Sequence, residues 1–195
     1  MNNCIKVKVI HNELLHSVSY ILSLKDKLII VDCGDYEKII KTIGLNRKPV
    51  AILLTHCHQD HVYGLSQFLE QYPFVTVYCS QSTLDGLKNE EQNLSYIIPE
   101  YPFVFNKEEQ VVVINEGIQM IDGFPIEVIS TPGHSDDCMS YIIEDNIFTG
   151  DSYIPFAKVF TKWPRSNKVL ATENEKKLIN LINKRQLKVY CGHWK

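Results

Sequence analysis

Within six residues, His56-Cys57-His58-Gln59-Asp60-His61 gathers four potential metal ligands, three imidazoles and a carboxylate. Ala51-Ile52-Leu53-Leu54 directly before it is a short apolar run of the kind that makes a buried strand, which sets the cluster at that strand's C-terminal end. So many polar groups at the rim of a core carry heavy desolvation and mutual repulsion, and a divalent cation removes both costs. His56 and His58 point the same way from an extended segment, while Asp60 and His61 follow where the chain turns into a helix and can face a second position. One segment can thus supply two ligands to each of two adjacent metals.

Four more polar residues fall just past predicted strands: Asp32 after Leu28–Val31, His134 after Ile126–Ser130, Asp151 after Ile147–Gly150, and His193 after Leu187–Cys191. Glycine accompanies each, in Asp32-Cys33-Gly34, Thr131-Pro132-Gly133-His134, Gly150-Asp151 and Gly192-His193, where it permits backbone conformations and close approaches that other residues resist. Five of the seven histidines lie in these places, leaving only His11 and His16 outside. Several strands are therefore expected to deliver groups to one edge.

The elements that must position them read in order. Ile5–Ile10, Ser17–Leu24 and Lys27–Val31 are three successive antiparallel strands, followed by a helix over 36–43 with Asp35 as N-cap and Gly44 as its stop. Strands at 50–55 and 74–79 alternate with helices at 64–72 and 81–88, the rhythm of a layered α/β domain. Residues 89–110, with Pro99, Pro102 and the aromatics Tyr96, Tyr101, Phe103 and Phe105, read as a loop or lid. A second antiparallel run is expected from Val111–Ile114 through Ile118–Ile121, Pro125–Ser130, Met139–Ile143 and Ile147–Thr149. Its turns fall at Asn115-Glu116-Gly117, Asp122-Gly123 and Asp145-Asn146. Residues 152–168 are loop-like, Thr172-Glu173-Asn174-Glu175 reads as the capping box of a last helix, and Leu187–Cys191 is a final strand.

Composition bounds the rest. The 195 residues suit one domain, 1–195, with 45% hydrophobic and 22% charged residues. The net charge of -3 gives no basic footprint for nucleic acid. No secretion signal and no apolar run of membrane-spanning length are visible, so no membrane association is expected. The cysteines Cys4, Cys33, Cys57, Cys79, Cys138 and Cys191 are scattered, which fits reduced thiols and a cytoplasmic location. Cys57 and Cys191, beside the ligand candidates, read as small buried hydrophobes.

Taken together these residues resemble the metallo-β-lactamase superfamily, and within it the glyoxalase II-like hydrolases. The HxHxDH motif is complete at His56 to His61, and TPGH at Thr131 to His134, GD at Gly150-Asp151 and a terminal GH at Gly192-His193 follow in the family's order. The resemblance implies a four-layer αββα sandwich of two mixed β-sheets flanked by helices. It implies that His56, His58 and His134 hold a first metal, that Asp60, His61 and His193 hold a second, and that Asp151 bridges them. Asp32 resembles the acid that braces the ligand loop. Zinc suits an all-nitrogen-and-oxygen shell, and the same ligands accept iron or manganese.

Departures from the family narrow the substrate. The main secreted zinc β-lactamases carry cysteine where Asp151 stands, and glyoxalase II has a further C-terminal helical part, whereas this sequence ends two residues after His193. Neither antibiotic hydrolysis nor a glutathione thioester is expected. Asp136 and Asp137 stand where relatives often have a small residue or glycine, with no functional account from sequence.

The expected chemistry is hydrolysis of an ester, thioester or related bond in a small molecule, by hydroxide generated between two metals about 3.5–4 Å apart. Asp60 is the candidate for holding that water and moving its proton. Substrate contacts are expected from the 152–168 loop, with Lys158 and Lys162 (and Arg165) meeting an anionic group and Tyr153, Phe156 and Trp163 forming an apolar wall. The alternatives are a mononuclear iron enzyme resembling the sulfur dioxygenases and a non-catalytic metal-dependent binding or regulatory module. The oligomeric state is open.

Overall fold

The computed structural model describes residues 5–24, 26–44, 49–101 and 103–195, so Cys4 and Pro102 lie outside the described residues. The first sheet is built from β1 (Lys6–His11), β2 (Val18–Leu24), β3 (Lys27–Val31), β4 (Pro49–Leu53), β5 (Thr76–Cys79) and β6 (Val111–Val113), in that spatial order. β1 to β3 pair antiparallel, as expected, and β3 to β6 pair parallel. Parallel pairing requires a crossover, and β3 reaches β4 through α1 (Tyr36–Ile43). Asp35 caps that helix by accepting from Lys38 N, and Gly44 ends it at φ 76°.

The second sheet has the order β11-β10-β9-β8-β7, from β7 (Gly117–Ile121), β8 (Phe124–Ser130), β9 (Met139–Ile143), β10 (Asn146–Gly150) and β11 (Lys188–Cys191). Its strands are antiparallel except for the parallel pair β10 and β11, joined through the helix Lys168–Arg185. One core lies between the sheets, with Leu22, Ile29 and Leu53 of the first facing Ile126, Tyr141 and Phe148 of the second. The outer face of the first sheet buries Ile30 and Ile52 under Ile39 of α1 and Phe68 of the helix Leu65–Gln71. The outer face of the second buries Ile142 and Ile147 under Leu178. The result is the expected αββα sandwich of two mixed sheets.

Four expectations change. Val111–Val113 does not open the second sheet but closes the first, parallel to β5, because alternation in a three-residue strand does not specify its partner. The last helix starts at Lys168, four residues before the expected capping box: Asn167 accepts from Val169 N and Leu170 N, and Thr172 instead donates back to Lys168 O at 2.9 Å. The turn before β10 is Glu144-Asp145, with Glu144 at φ 55°, so Asn146 belongs to the strand. Residues 89–110 contain the short helix Glu90–Asn93 and a 3-10 turn at Glu108–Gln110. Among the described residues no helix is long and apolar enough to cross a membrane.

Candidate metal centre

The C-terminal ends of β3, β4, β8, β10 and β11 open onto one edge. There the structure brings together His56, His58, Asp60, His61, His134, Asp151 and His193, all buried except the half-buried His193. His56 and His58 leave β4 in extended chain, and Asp60 and His61 sit on the four-residue helix Gln59–Val62.

Four of the imidazoles have their Nδ1 atoms engaged on the protein side. His61 Nδ1 meets Asp32 Oδ2 at 2.9 Å, His134 Nδ1 meets Phe160 O at 2.9 Å, and His193 Nδ1 meets Leu15 O at 3.0 Å. His56 Nδ1 lies 3.0 Å from Thr55 Oγ1, whose own proton goes to Asp32 Oδ2 at 2.8 Å. Each of these partners is therefore an acceptor, which assigns the proton to Nδ1 and leaves the Nε2 lone pair aimed inward. His58 is the other way round, with Nδ1 facing His134 Nε2 at 2.9 Å.

What those lone pairs face is more acceptors. His193 Nε2 is 3.1 Å from Asp151 Oδ2, His134 Nε2 is 3.4 Å from the same oxygen, and His61 Nε2 is 3.4 Å from both Asp60 Oδ2 and Asp151 Oδ1. His56 Nε2, His61 Nε2 and Asp151 Oδ1 are fully buried with no hydrogen-bond partner. Ligand atoms within 4.8 Å of one another form three sets: His56, His58 and His134; Asp60, His61 and His193; and His56, His61 and Asp151, which joins the other two. The first two have the membership expected from sequence, with Asp151 between them. Buried acceptors facing acceptors cost several kcal/mol unless a cation or protons intervene, so the donor set fits divalent ions.

The electrostatics show the same tension. Burial, with His61 and His58 beside it, holds His56 well below the usual histidine range, and burial with His134 lowers His58 to about 3. Burial also opposes the charge on His61, but Asp60 and Asp151 outweigh it and push His61 well up. Asp151 is held well below the carboxylate range because His193, His134 and His61 outweigh its own burial, whereas burial dominates at Asp60 and raises it.

Asp32 touches the ligand loop at three points, accepting from Thr55 N and Thr55 Oγ1 at 2.8 Å each besides His61. Asp137, which had no account from sequence, is a second anchor of that loop. Its buried carboxylate accepts from Cys57 N at 2.8 Å, Thr83 Oγ1 at 3.1 Å and Ser135 Oγ at 2.5 Å. Asp136 is exposed and pairs with Arg165. Gly192 lies so close to Asp151 Oδ1 and His61 that a Cβ there would overlap both, a packing role with no signal in the sequence beyond its place before His193. Gln59 stands between the candidate ligands His58 and Asp60. Its side-chain amide donates to the carbonyls of Ile98 and Tyr101, tying the 94–101 segment to the ligand helix.

A cavity of about 210 Å3 opens over the cluster, with His58, Gln59, Asp60, His134, Asp151 and His193 at its floor. Its walls are apolar, from Leu15, Leu94, Ile97, Ile98, Phe160 and Trp163. Both expected loops contribute, but the expected substrate contacts Tyr153, Lys158 and Lys162 are not brought to it. Tyr153 packs against the cluster that includes Ile142, Ile147 and Leu178, Lys158 lines a separate groove with Lys168 and Glu175, and Lys162 is exposed. The reason is the path of the loop, which turns through a bridge between Ile154 and Ala157 and presents Phe160 and Trp163 inward instead. Arg165 is drawn aside to Asp136 and Ser82. Cys57 is fully buried and Cys191 half-buried, and the five described cysteines are all free thiols.

A family model described as the metallo-beta-lactamase superfamily matches residues 12–193. Among solved structures, BLEG-1 B3 metallo-beta-lactamase is 26% identical with a TM-score of 0.84, covering 97% of this chain and 92% of that one. TTHA1623 in a di-iron-bound form is 21% identical, with a TM-score of 0.81 and coverage of 96% and 92%. ETHE1 from Myxococcus xanthus is 18% identical, with a TM-score of 0.70 and coverage of 97% and 76%. The last two show a shared fold.

Proposed function

This chain belongs to the metallo-β-lactamase superfamily, and we propose that it is a glyoxalase II-like metal-dependent hydrolase that cleaves an ester or thioester bond in a small molecule. The observation that carries this is the set of four imidazoles whose Nδ1 atoms are all committed to acceptors, so that their Nε2 lone pairs converge with two carboxylates on one buried point. His56, His58 and His134 would hold one ion, Asp60, His61 and His193 a second, with Asp151 in reach of both. Two divalent ions held there supply Lewis acidity toward the scissile carbonyl and lower the pKa of water from 15.7 toward roughly 7.

The protein's own groups do the rest. Water oxygen adds to the acyl carbon, the C–O or C–S bond breaks, and the water proton leaves with the alcohol or thiol. Asp60, at the cavity floor with one carboxylate oxygen near His61 and His193, is the group placed to accept that proton and pass it to the leaving atom. The apolar walls exclude bulk water and strengthen these interactions. The donor set is nitrogen and oxygen only, which favours zinc; an iron pair is the alternative that the di-iron form of TTHA1623 brings into view. The free thiols support a cytoplasmic setting.

Elemental analysis of protein purified without added metal tests the reading. About two zinc equivalents, with turnover of simple esters or thioesters, is the expected result. One iron with oxygen uptake, or full metallation with no hydrolysis across ester, thioester, lactone and phosphodiester panels, overturns it. So does retention of both ions by the double variant His58→Ala, Asp151→Ala.

A further inference from the structure

The cavity over the metal centre has a chemical character of its own. Its wall is made by Leu15, Leu94, Ile97, Ile98, Phe160 and Trp163, and no lysine or arginine lines it among the described residues. Nor is the wall loosely held. Leu15 contributes its side chain to the wall while its carbonyl accepts from His193, and Phe160 does the same for His134. Ile98 is tied by its carbonyl to the Gln59 amide, and Phe160 packs on Trp163 with ring centroids 5.2 Å apart. Each wall segment is thus anchored to a candidate ligand or to its chain neighbour. Leu15 is also held at φ 51°, a left-handed conformation unfavourable for leucine, so its orientation is enforced by the turn around it. Three wall residues remain well exposed at the rim, Leu15 at 54%, Ile97 at 40% and Phe160 at 46%, which gives the cavity an apolar mouth.

We infer that this enzyme selects substrates whose acyl group is uncharged and apolar, and discriminates against those bearing a carboxylate at the same position. The inference rests on the hydrolase reading for its reaction but on the wall alone for its selectivity. An anionic acyl tail lying along that wall would be desolvated with no lysine or arginine to meet it. The size sets a limit as well, since about 210 Å3 is below the roughly 300–1,000 Å3 that encloses a drug-sized ligand. A short chain fits, and a long one must leave through the mouth.

Two measurements on the metal-loaded protein separate this inference from the function it rests on. The first is kcat/KM for p-nitrophenyl esters from acetate to hexanoate, with the adipate monoester, which carries a carboxylate where hexanoate carries a methyl. We expect a rise of about fourfold per methylene, from the transfer value of a buried methylene, and at least a tenfold preference for hexanoyl over adipoyl. The second needs no turnover: quenching of Trp163 fluorescence in the Trp194→Phe background by hexanamide and by adipamate, with hexanamide binding more tightly. Ile97→Lys, a change at the exposed rim, should narrow or invert both preferences. Equal or better use of the adipoyl ester, a flat chain-length series, or tighter adipamate binding overturns the inference while leaving hydrolysis standing. Tight hexanamide binding with no ester turnover would instead remove the hydrolase reading and leave the selectivity of the wall.

Discussion

Asp32 and His61 face each other at 2.9 Å, Oδ2 to Nδ1, both essentially without solvent contact. Asp32 reaches that position from a left-handed turn at φ 58° after β3, and with the same carboxylate it fixes Thr55 at the end of β4. One acid thus orients two successive pieces of the ligand loop and holds His61 in the tautomer that aims Nε2 inward. Asn tolerates the same backbone and volume but presents an amide NH2 to a set of donors. Asp32→Asn should therefore weaken metal binding by about 10- to 100-fold with little change in secondary structure. Competition with a chromophoric chelator, beside circular dichroism, measures both.

Gly192 tests how closely the second sheet is fitted to the centre. Its N–H donates to Gly150 O at 2.8 Å, which places its α-carbon against Asp151 Oδ1 and His61 Cε1. A methyl group there must displace backbone or the shared carboxylate, and displacements of about 1 Å at a reacting centre cost on the order of 100-fold. Gly192→Ala is expected to lower kcat/KM by about that factor and to lower bound metal below two equivalents. Parallel activity and metal analysis on the variant would show both.

Asp137 should matter for stability more than its neighbour. Replacing it with alanine leaves the buried Cys57 N–H and the Ser135 hydroxyl without their acceptor, a loss of about 2–4 kcal/mol. Asp136 is exposed, and its pair with Arg165 belongs to the class worth about 0–1 kcal/mol. Urea unfolding of Asp137→Ala and Asp136→Ala should separate by that margin. A shared small effect would mean that the ligand loop does not depend on the carboxylate.

The sequence made the strands legible because each buried run, such as Leu28–Val31 or Ala51–Leu54, is bounded by a polar or glycine break. The candidate ligands were legible because they cluster just past those runs. Less legible was anything fixed by a contact distant in sequence. Val111–Val113 joins β5 rather than β7, a pairing that three valines do not encode by themselves. Asn167 caps the last helix ahead of a capping-box pattern that lies inside it. The carbonyls of Leu15 and Phe160, which fix His193 and His134, carry no residue-type signal at all, since any residue has a carbonyl. The loop of residues 152–168 was legible as a contributor to the site, but which of its side chains face inward depends on the bridge between Ile154 and Ala157.

That last point has a direct test. Lys158 and Lys162 are exposed and do not line the cavity, Lys158 facing a separate groove with Ala171 and Glu175. Exposed charges are weakened by solvent and by salt, whose Debye length is about 8 Å at physiological ionic strength. Lys158→Ala and Lys162→Ala, singly and together, should thus change kcat/KM by less than about twofold on neutral esters, and no more on the adipate monoester. Steady-state kinetics at low and physiological salt provide the check. A tenfold loss confined to the anionic ester would show that the loop folds over during turnover and brings a cation to the substrate, contrary to the apolar wall seen in the structure.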